Sequence, residues 1–212
     1  MNKIDLNYNG LSGQVYLYIK KMILSGEFAA GHKIHEEKVG QLFGVSRTPI
    51  REALKKLSEY GLVILKPRSI AVVASLTKEE AIQLAHIRAR LETLSTILLA
   101  EVGTNKDFDH LERIAEECNA LIAEGDVAAA FEKDSMFHLE IAGRTKNTHL
   151  FEIIEKLDAK IQLSRLVIKL PIDRLEKSIN QHNAIVGALR SRDRDLSELL
   201  MQHHIMHQLS HF

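Results

Sequence analysis

The sequence has one cysteine, Cys118, three prolines and no tryptophan, and aromatic residues make up 5% of its 212 positions. A single cysteine excludes an intramolecular disulfide framework and a cysteine-based zinc finger; we read Cys118 as a small residue on a helix. With 3 prolines and 11 glycines there are too few turn formers for a β-sandwich, which also needs more aromatics. No apolar run approaches the roughly 18–20 residues that span a bilayer. Met1-Asn2-Lys3-Ile4-Asp5 leads into no signal-peptide core. The expectation is a soluble, cytoplasmic protein with no membrane partner.

An excess of one charge is also lacking, since 28 Lys+Arg balance 28 Asp+Glu. The balance hides an asymmetry. Residues 1–76 carry 11 Lys+Arg against 6 Asp+Glu, a net +5, so residues 77–212 carry −5. A basic front on an acidic back points to a polyanionic partner for the front alone.

What is abundant is helix former. Ala, Leu, Ile, Glu and Lys dominate, 45% of residues are hydrophobic and 26% are charged, so the chain can bury a core and is mainly α. Val15, Tyr18, Ile19, Met22 and Ile23 recur at helical spacing from Leu11 to Ser25, and Gly26 ends that helix. Lys38 to Phe43 reads as a second, short helix stopped by Gly44. Ser46 suits an N-cap and Pro49 the first turn of a third helix, which runs through Ile50, Ala53, Leu54 and Leu57 to Gly61. Leu62–Leu65 and Ile70–Val73 are short apolar runs around Lys66-Pro67-Arg68-Ser69, which predicts a β-hairpin with a basic tip. Thr77-Lys78-Glu79-Glu80 has the form of a capping box and opens a long helix with Ile82, Leu84, Ala85, Ile87, Leu91, Leu94 and Leu98 as its apolar residues. Helical periodicity continues to the end, with breaks near Gly103–Asn105, Gly125-Asp126, Gly143–Asn147, Leu170-Pro171 and Ser191–Asp195, giving six helices. The expected domains are residues 8–76 and 79–210.

Three helices and a hairpin make a winged helix-turn-helix. Arg47 and Arg51 are four apart at the start of the third helix and share a face, with the hydroxyls of Ser46 and Thr48 beside them. Arginine can bind guanine O6 and N7 through two hydrogen bonds, and hydroxyls with helix N-terminal amides suit phosphates. Leu42-Phe43-Gly44-Val45-Ser46-Arg47-Thr48-Pro49-Ile50-Arg51-Glu52-Ala53-Leu54, with Ile34, Glu36, Val39 and Gly40 upstream, resembles the DNA-binding core of the GntR family of bacterial transcription regulators. The resemblance implies that Ser46, Arg47, Thr48 and Arg51 contact DNA and that Arg68 in the wing reaches the minor groove or a phosphate. Ser69 departs from the family, which usually carries glycine at the wing tip.

Nine of the 11 histidines lie after residue 76. Asp134 and His138 are four apart on one helix, a carboxylate and an imidazole suited to a transition metal. His182 and His204 each lie eleven residues from Asp193, the turn between the last two helices. Equal distances, about 16 Å at 1.5 Å per residue, put them at one height in an antiparallel pair. The set Asp134, His138, His182 and His204 could therefore converge. His203, His207 and His211 are rivals, with His204, His207 and His211 able to form a surface stripe instead; His86, His110 and His149 read as ordinary. Arg88 is partly inward by periodicity, where it needs an anion, or it simply pairs with Glu92 one turn on.

The helical half resembles the all-helical FCD-type ligand-binding domain of the FadR subfamily of GntR regulators, through Ile87-Arg88-Ala89-Arg90-Leu91-Glu92, Asp134 with His138, His182-Asn183-Ala184-Ile185 and His204. Six helices place it near the VanR-like branch. The resemblance implies a divalent ion (zinc, nickel or manganese) on Asp134, His138, His182 and His204, and Arg88 meeting the carboxylate of an organic-acid effector. It further implies a homodimer on a palindromic DNA operator, with Leu91, Leu94 and Leu98 at the dimer contact or buried within one subunit. The acid would act on the linker around residues 74–79 and so on operator affinity. A metal-dependent enzyme and a regulator that senses the metal itself are the alternatives. No general base, nucleophile motif or phosphate loop favours catalysis.

Overall fold

The computed structural model describes residues 10–67, 70–168 and 172–207; Arg68 and Ser69 at the wing tip, residues 8 and 9, and residues 208–210 lie outside them. The chain divides into two compact units between Thr77 and Lys78.

The first unit contains α1 (Leu11–Leu24), β1 (Lys33–His35), α2 (Glu36–Phe43), α3 (Arg47–Glu59), β2 (Val63–Lys66) and β3 (Ile70–Val73). The apolar spacing read in the sequence becomes its core: Val15, Ile19 and Ile23 of α1 meet Ile50, Leu54 and Leu57 of α3, all essentially sealed from solvent. Gly44 closes α2 in the left-handed conformation (φ 63°, ψ 32°), which a side chain disfavours. Its neighbour Val45 donates its N–H to Gly40 O at 3.1 Å, and this short turn sets α3 across α2.

Three expectations change here. The wing is a three-stranded antiparallel sheet ordered β1-β3-β2, not a two-stranded hairpin, because Lys33–His35 pairs with Ile70–Val72. Helix α2 begins at Glu36, two residues before the expected Lys38, directly from β1. Ser46 occupies the N-cap position of α3, but its side chain makes no capping hydrogen bond.

The second unit contains α4 (Lys78–Val102), α5 (Asn105–Ala123), α6 (Val127–Gly143), α7 (Thr148–Ile168), α8 (Ile172–Arg190) and α9 (Arg194–His207). These are six helices among the described residues. Phe108, Leu111, Phe137, Ile141, Ile185, Leu189, Met201 and Ile205 form its main core. A second cluster holds Cys118, Ile122, Ala130, Leu175 and Ile179. The Cys118 thiol is buried, donates to Ala130 O at 3.3 Å and has its pKa pushed up to about 12 by burial, so it is inert.

Helix α4 separates the leucines that the sequence left open between dimer contact and burial. Ile87 (52% exposed) and Leu94 (42%) face out, while Arg88, Glu92, Thr93, Ser95 and Thr96 are buried. Leu91 and Leu98 divide from Leu94 and pack on Ala142, Leu150 and Ile154.

Two junctions hold the bundle's register. At the α4–α5 turn, Thr104 Oγ1 accepts from Asp107 N–H while Asp107 Oδ2 accepts from Thr104 N–H at 2.7 Å, a capping box not foreseen from the sequence. At the α8–α9 turn, Asp193 Oδ1 accepts from Leu196 N–H at 3.0 Å, which starts α9 where the histidine count placed the turn. Gly103 sits so tightly at the first junction that an added Cβ would lie 2.7 Å from Leu99 O and 2.9 Å from Phe108 Cε1. Gly103→Ala is therefore expected to destabilise this unit by about 1–3 kcal/mol. Urea unfolding monitored by circular dichroism checks this; an unchanged midpoint would show that the junction can open.

Candidate functional site

The bundle brings Asp134, His138, His182 and His204 together. All four are buried, and one ligand atom from each lies within 4.8 Å of the others. Asp134 and His138 come from one face of α6, His182 from α8 and His204 from α9. His138 Nε2 and His204 Nε2 face each other at 3.2 Å. Asp134 Oδ1 lies 3.6 Å from His138 Nε2 and 3.3 Å from His182 Nε2. Phe137 stacks on the His182 ring, centroids 4.1 Å apart, and fixes its plane.

His138 Nδ1 lies 2.5 Å from Glu92 Oε2, close but without hydrogen-bond geometry, and Arg88 Nε donates to Glu92 Oε1 at 2.7 Å. His204 Nδ1 donates to Gln181 Oε1 at 3.2 Å. With a proton on each Nδ1 alone, the two Nε2 atoms would turn lone pairs to each other at 3.2 Å, which is repulsive unless a cation lies between them; with His138 doubly protonated, its Nε2 donates to His204 Nε2. An ion with two nitrogens at about 2.1 Å and at right angles would hold them about 3.0 Å apart. Neither nitrogen of the buried His182 ring makes a hydrogen bond among the described residues; its Nε2 is close to Asp134 without hydrogen-bond geometry. These residues fit a divalent transition ion, which imidazole and carboxylate both accept.

The electrostatics agree with that fit at Asp134, His182 and His204, while at His138 they favour a proton, which an ion would have to displace. Burial lowers the His182 pKa, and it lowers that of His204 further with help from the neighbouring His182 and His138, so both rings are neutral near pH 7. Burial opposes the charge on Asp134, but Arg165 and then His138 outweigh it and hold the carboxyl well below its usual range. Arg165 donates to Asp134 Oδ2 and, at 2.9 Å, to Phe131 O, which leaves Oδ1 turned toward the histidines. Burial likewise opposes the Glu92 charge, and Arg88 with His138 overcomes it, lowering its pKa to about 2. For His138, burial pulls the pKa down and Glu92 and Asp134 raise it by more.

Arg88 is thus both inward and paired with Glu92, its one hydrogen-bond partner among the described residues. Next in the chain to Asp134, Ser135 donates to Asp158 Oδ1, and Gln162 Nε2 donates to Ser135 Oγ at 2.8 Å. Among the rival histidines, His203 is exposed and lies beside His207 with the rings tilted, outside the buried set, and His211 lies outside the described residues. His86 is exposed, and His110 contacts Glu140 at 3.4 Å.

Sequence reasoning missed three site residues. Glu92 was seen only as a partner for Arg88, though it also holds His138. Gln181 had a weak signal in its place beside His182. Arg165 had none, since nothing local ties it to a residue 31 positions away.

In the first unit, Ser46, Arg47 and Thr48 are exposed at the leading end of α3. Arg51 is exposed one turn on, with its Nε donating to Glu36 Oε2 at 2.9 Å, which anchors its stem to the start of α2. Ile50, between them, is fully buried and pins this end to the core.

Residues 11–73 match the bacterial regulatory proteins of the gntR family, and residues 83–207 match the FCD domain. The chain belongs to the GntR family. Its FCD domain fits the FadR subfamily. The HTH-type transcriptional regulator YdhC of Bacillus subtilis is 28% identical, over 93% of this chain and 89% of that one. The HTH-type transcriptional repressor RspR of Escherichia coli is 27% identical, covering 91% and 84%. A gluconate operon transcriptional repressor of Bacillus licheniformis is 29% identical, covering 84% and 75%. The solved structure of Escherichia coli McbR/YncC shares the fold, with a TM-score of 0.83 at 23% identity over 95% of this chain and 96% of that one. This GntR-family chain is a DNA-binding transcription regulator, and its relatives are regulators, not enzymes. No helix among the described residues is long and apolar enough to cross a membrane.

The Arg88–Glu92 pair yields a stability prediction. Glu92 titrates at about 2 in the folded chain against 4.5 ordinarily, so its contribution is complete above pH 4.5 and is lost as pH falls toward 2. Arg88→Ala strands a buried carboxylate and is expected to cost about 3–5 kcal/mol at neutral pH. Thermal melts across that pH range check both. A wild-type midpoint that falls no faster in acid than that of Glu92→Gln would show that the pair contributes nothing.

Proposed function

We propose that this regulator is a one-component switch in which Asp134, His138, His182 and His204 hold a divalent ion (zinc, nickel or manganese) and a small organic acid bound beside it controls operator affinity. One observation carries the reading: four buried metal-ligating side chains from three helices converge, with the Nε2 atoms of His138 and His204 3.2 Å apart. When bound, the ion supplies a Lewis-acidic position for a carboxylate. Arg88 supplies the second contact. It is buried, and Nε is the one of its donors hydrogen-bonded among the described residues. A buried guanidinium with donors to spare suits an anion. Ser135 and Gln162 add hydroxyl and amide groups next to Asp134. A gluconate operon repressor among the relatives is in keeping with an acid as the signal.

At the DNA end, Ser46, Arg47, Thr48 and Arg51 form the reading surface, Arg47 and Arg51 toward base edges and the hydroxyls toward phosphates. Arg68 in the wing is assigned a minor-groove or phosphate contact on the family resemblance. The chain works as a homodimer on a palindromic operator, its two recognition helices about 34 Å apart. Exposed Ile87 and Leu94 on α4, with Ile153 (53% exposed) on neighbouring α7, offer an aliphatic face for that dimer. The acid shifts operator affinity only by binding the two states of the protein unequally. The proposed domain limits are residues 8–76 for the reader and 79–210 for the sensor.

His182→Ala tests the sensor. Removing a direct ligand should weaken ion binding well over tenfold and abolish the acid's effect on operator binding, while the metal-free protein still binds operator DNA. Unchanged metal affinity on titration would refute the assignment. Arg47→Ala tests the reader. It should lose about 1–3 kcal/mol of base discrimination at one operator position. A binding-site selection that returns an unaltered preference would remove Arg47 from base readout.

A further inference from the structure

Helix α9 carries a second pair of histidines that the buried cluster does not use. His203 and His207 are four apart, so they project from one face, and their ring centroids lie 5.7 Å apart. The histidine pairs inside the buried cluster are spaced 4.8–5.4 Å, so this pair is nearly as close. His203 is exposed and His207 half-buried, which puts the pair at the protein surface. His203 points away from its neighbour His204, as successive helical residues do, so the two belong to different faces and cannot ligate one ion.

We propose that His203 and His207 form a separate, surface-exposed and readily exchanged site for a transition metal ion, independent of the buried Asp134-centred cluster. Two imidazoles one helical turn apart are a minimal chelate, the spacing that zinc-binding helices use. Two neutral nitrogen ligands with water in the remaining positions select ions that favour imidazole, such as nickel, copper or zinc, over magnesium or calcium, which prefer oxygen. Among the described residues no third histidine, cysteine or carboxylate joins the pair in a ligand cluster as Asp134 does in the buried set, so the surface site is the weaker of the two. Gln181 links the sites: its Oε1 accepts from His204 Nδ1 at 3.2 Å, and its Nε2 lies 3.5 Å from His203 Nδ1. Ligation through His203 Nε2 protonates Nδ1 and gives up this second contact. At 3.5 Å that contact is at the limit for a hydrogen bond, so its loss opposes binding only weakly.

The test titrates chelator-stripped, full-length protein with Ni²⁺ by calorimetry, comparing wild type, His182→Ala and the double variant His203→Gln/His207→Gln. The proposal predicts a weak binding step in wild type that persists in His182→Ala and loses at least about tenfold in affinity in the double variant. Mg²⁺ should give no such step. The double variant should still melt cooperatively, because His203 is exposed and glutamine keeps a polar side chain at the half-buried position 207. If wild type shows only the weak step and the double variant loses it, the surface site stands and the buried metal site falls. A wild-type titration without a weak step, a weak step unchanged in the double variant, or an equal response to Mg²⁺ would overturn the proposal.

Discussion

The bundle is organised around a charge buried on α4. Arg88 and Glu92 are each 3% exposed, and isolated charges so placed would be strongly unfavourable. Each is answered: Arg88 Nε by Glu92 Oε1 at 2.7 Å, and Glu92 Oε2 by His138 Nδ1 at 2.5 Å. That second contact sets the Nδ1 side of His138 against a carboxylate and leaves its Nε2 facing His204 at 3.2 Å. Gln181 Oε1 accepts from His204 Nδ1 on the other side, and Arg165 occupies one oxygen of Asp134. Supporting residues on α4, α7 and α8 thus orient three of the four side chains, and Phe137 of α6 stacks on the fourth, His182.

The same constraint explains what the sequence could and could not reveal. Counting from Asp193 put His182 opposite His204, and their rings are 4.8 Å apart, because a tight turn between antiparallel helices preserves register. The i, i+4 relation of Asp134 and His138 was equally local. On α4, apolar periodicity left Leu91, Leu94 and Leu98 open between a dimer contact and burial; Leu94 faces out with Ile87, and Arg88 is inward as its spacing suggested. Periodicity reports that a helix has an apolar face and not which neighbour covers it. The side chains that orient the ligands stayed hidden for a related reason. Arg165 reaches Asp134 across 31 residues, and such pairing follows from packing rather than spacing.

In the first unit the legible features were those set by local chemistry. Gly44 ended α2, the short apolar run Ile70–Val73 marked a strand, and the exposed run Ser46-Arg47-Thr48 stands at the start of α3. Strand β1 was missed because three residues are too short for a periodic signal; it exists because β3 offers it an edge. Arg51, which we propose for the reading surface, is held before any DNA is bound. Its tie to Glu36 holds one end of the side chain and limits the rotamers it must give up on binding.

The central claim is that the polar interior of the bundle is built around an ion. Anomalous diffraction from crystals of the full-length protein grown with nickel or zinc tests it most directly. The account predicts a strong peak among Asp134, His138, His182 and His204, about 2.1 Å from each ligand atom. A bundle with the same side-chain positions, no peak between them, and a proton shared by His138 and His204 would contradict it.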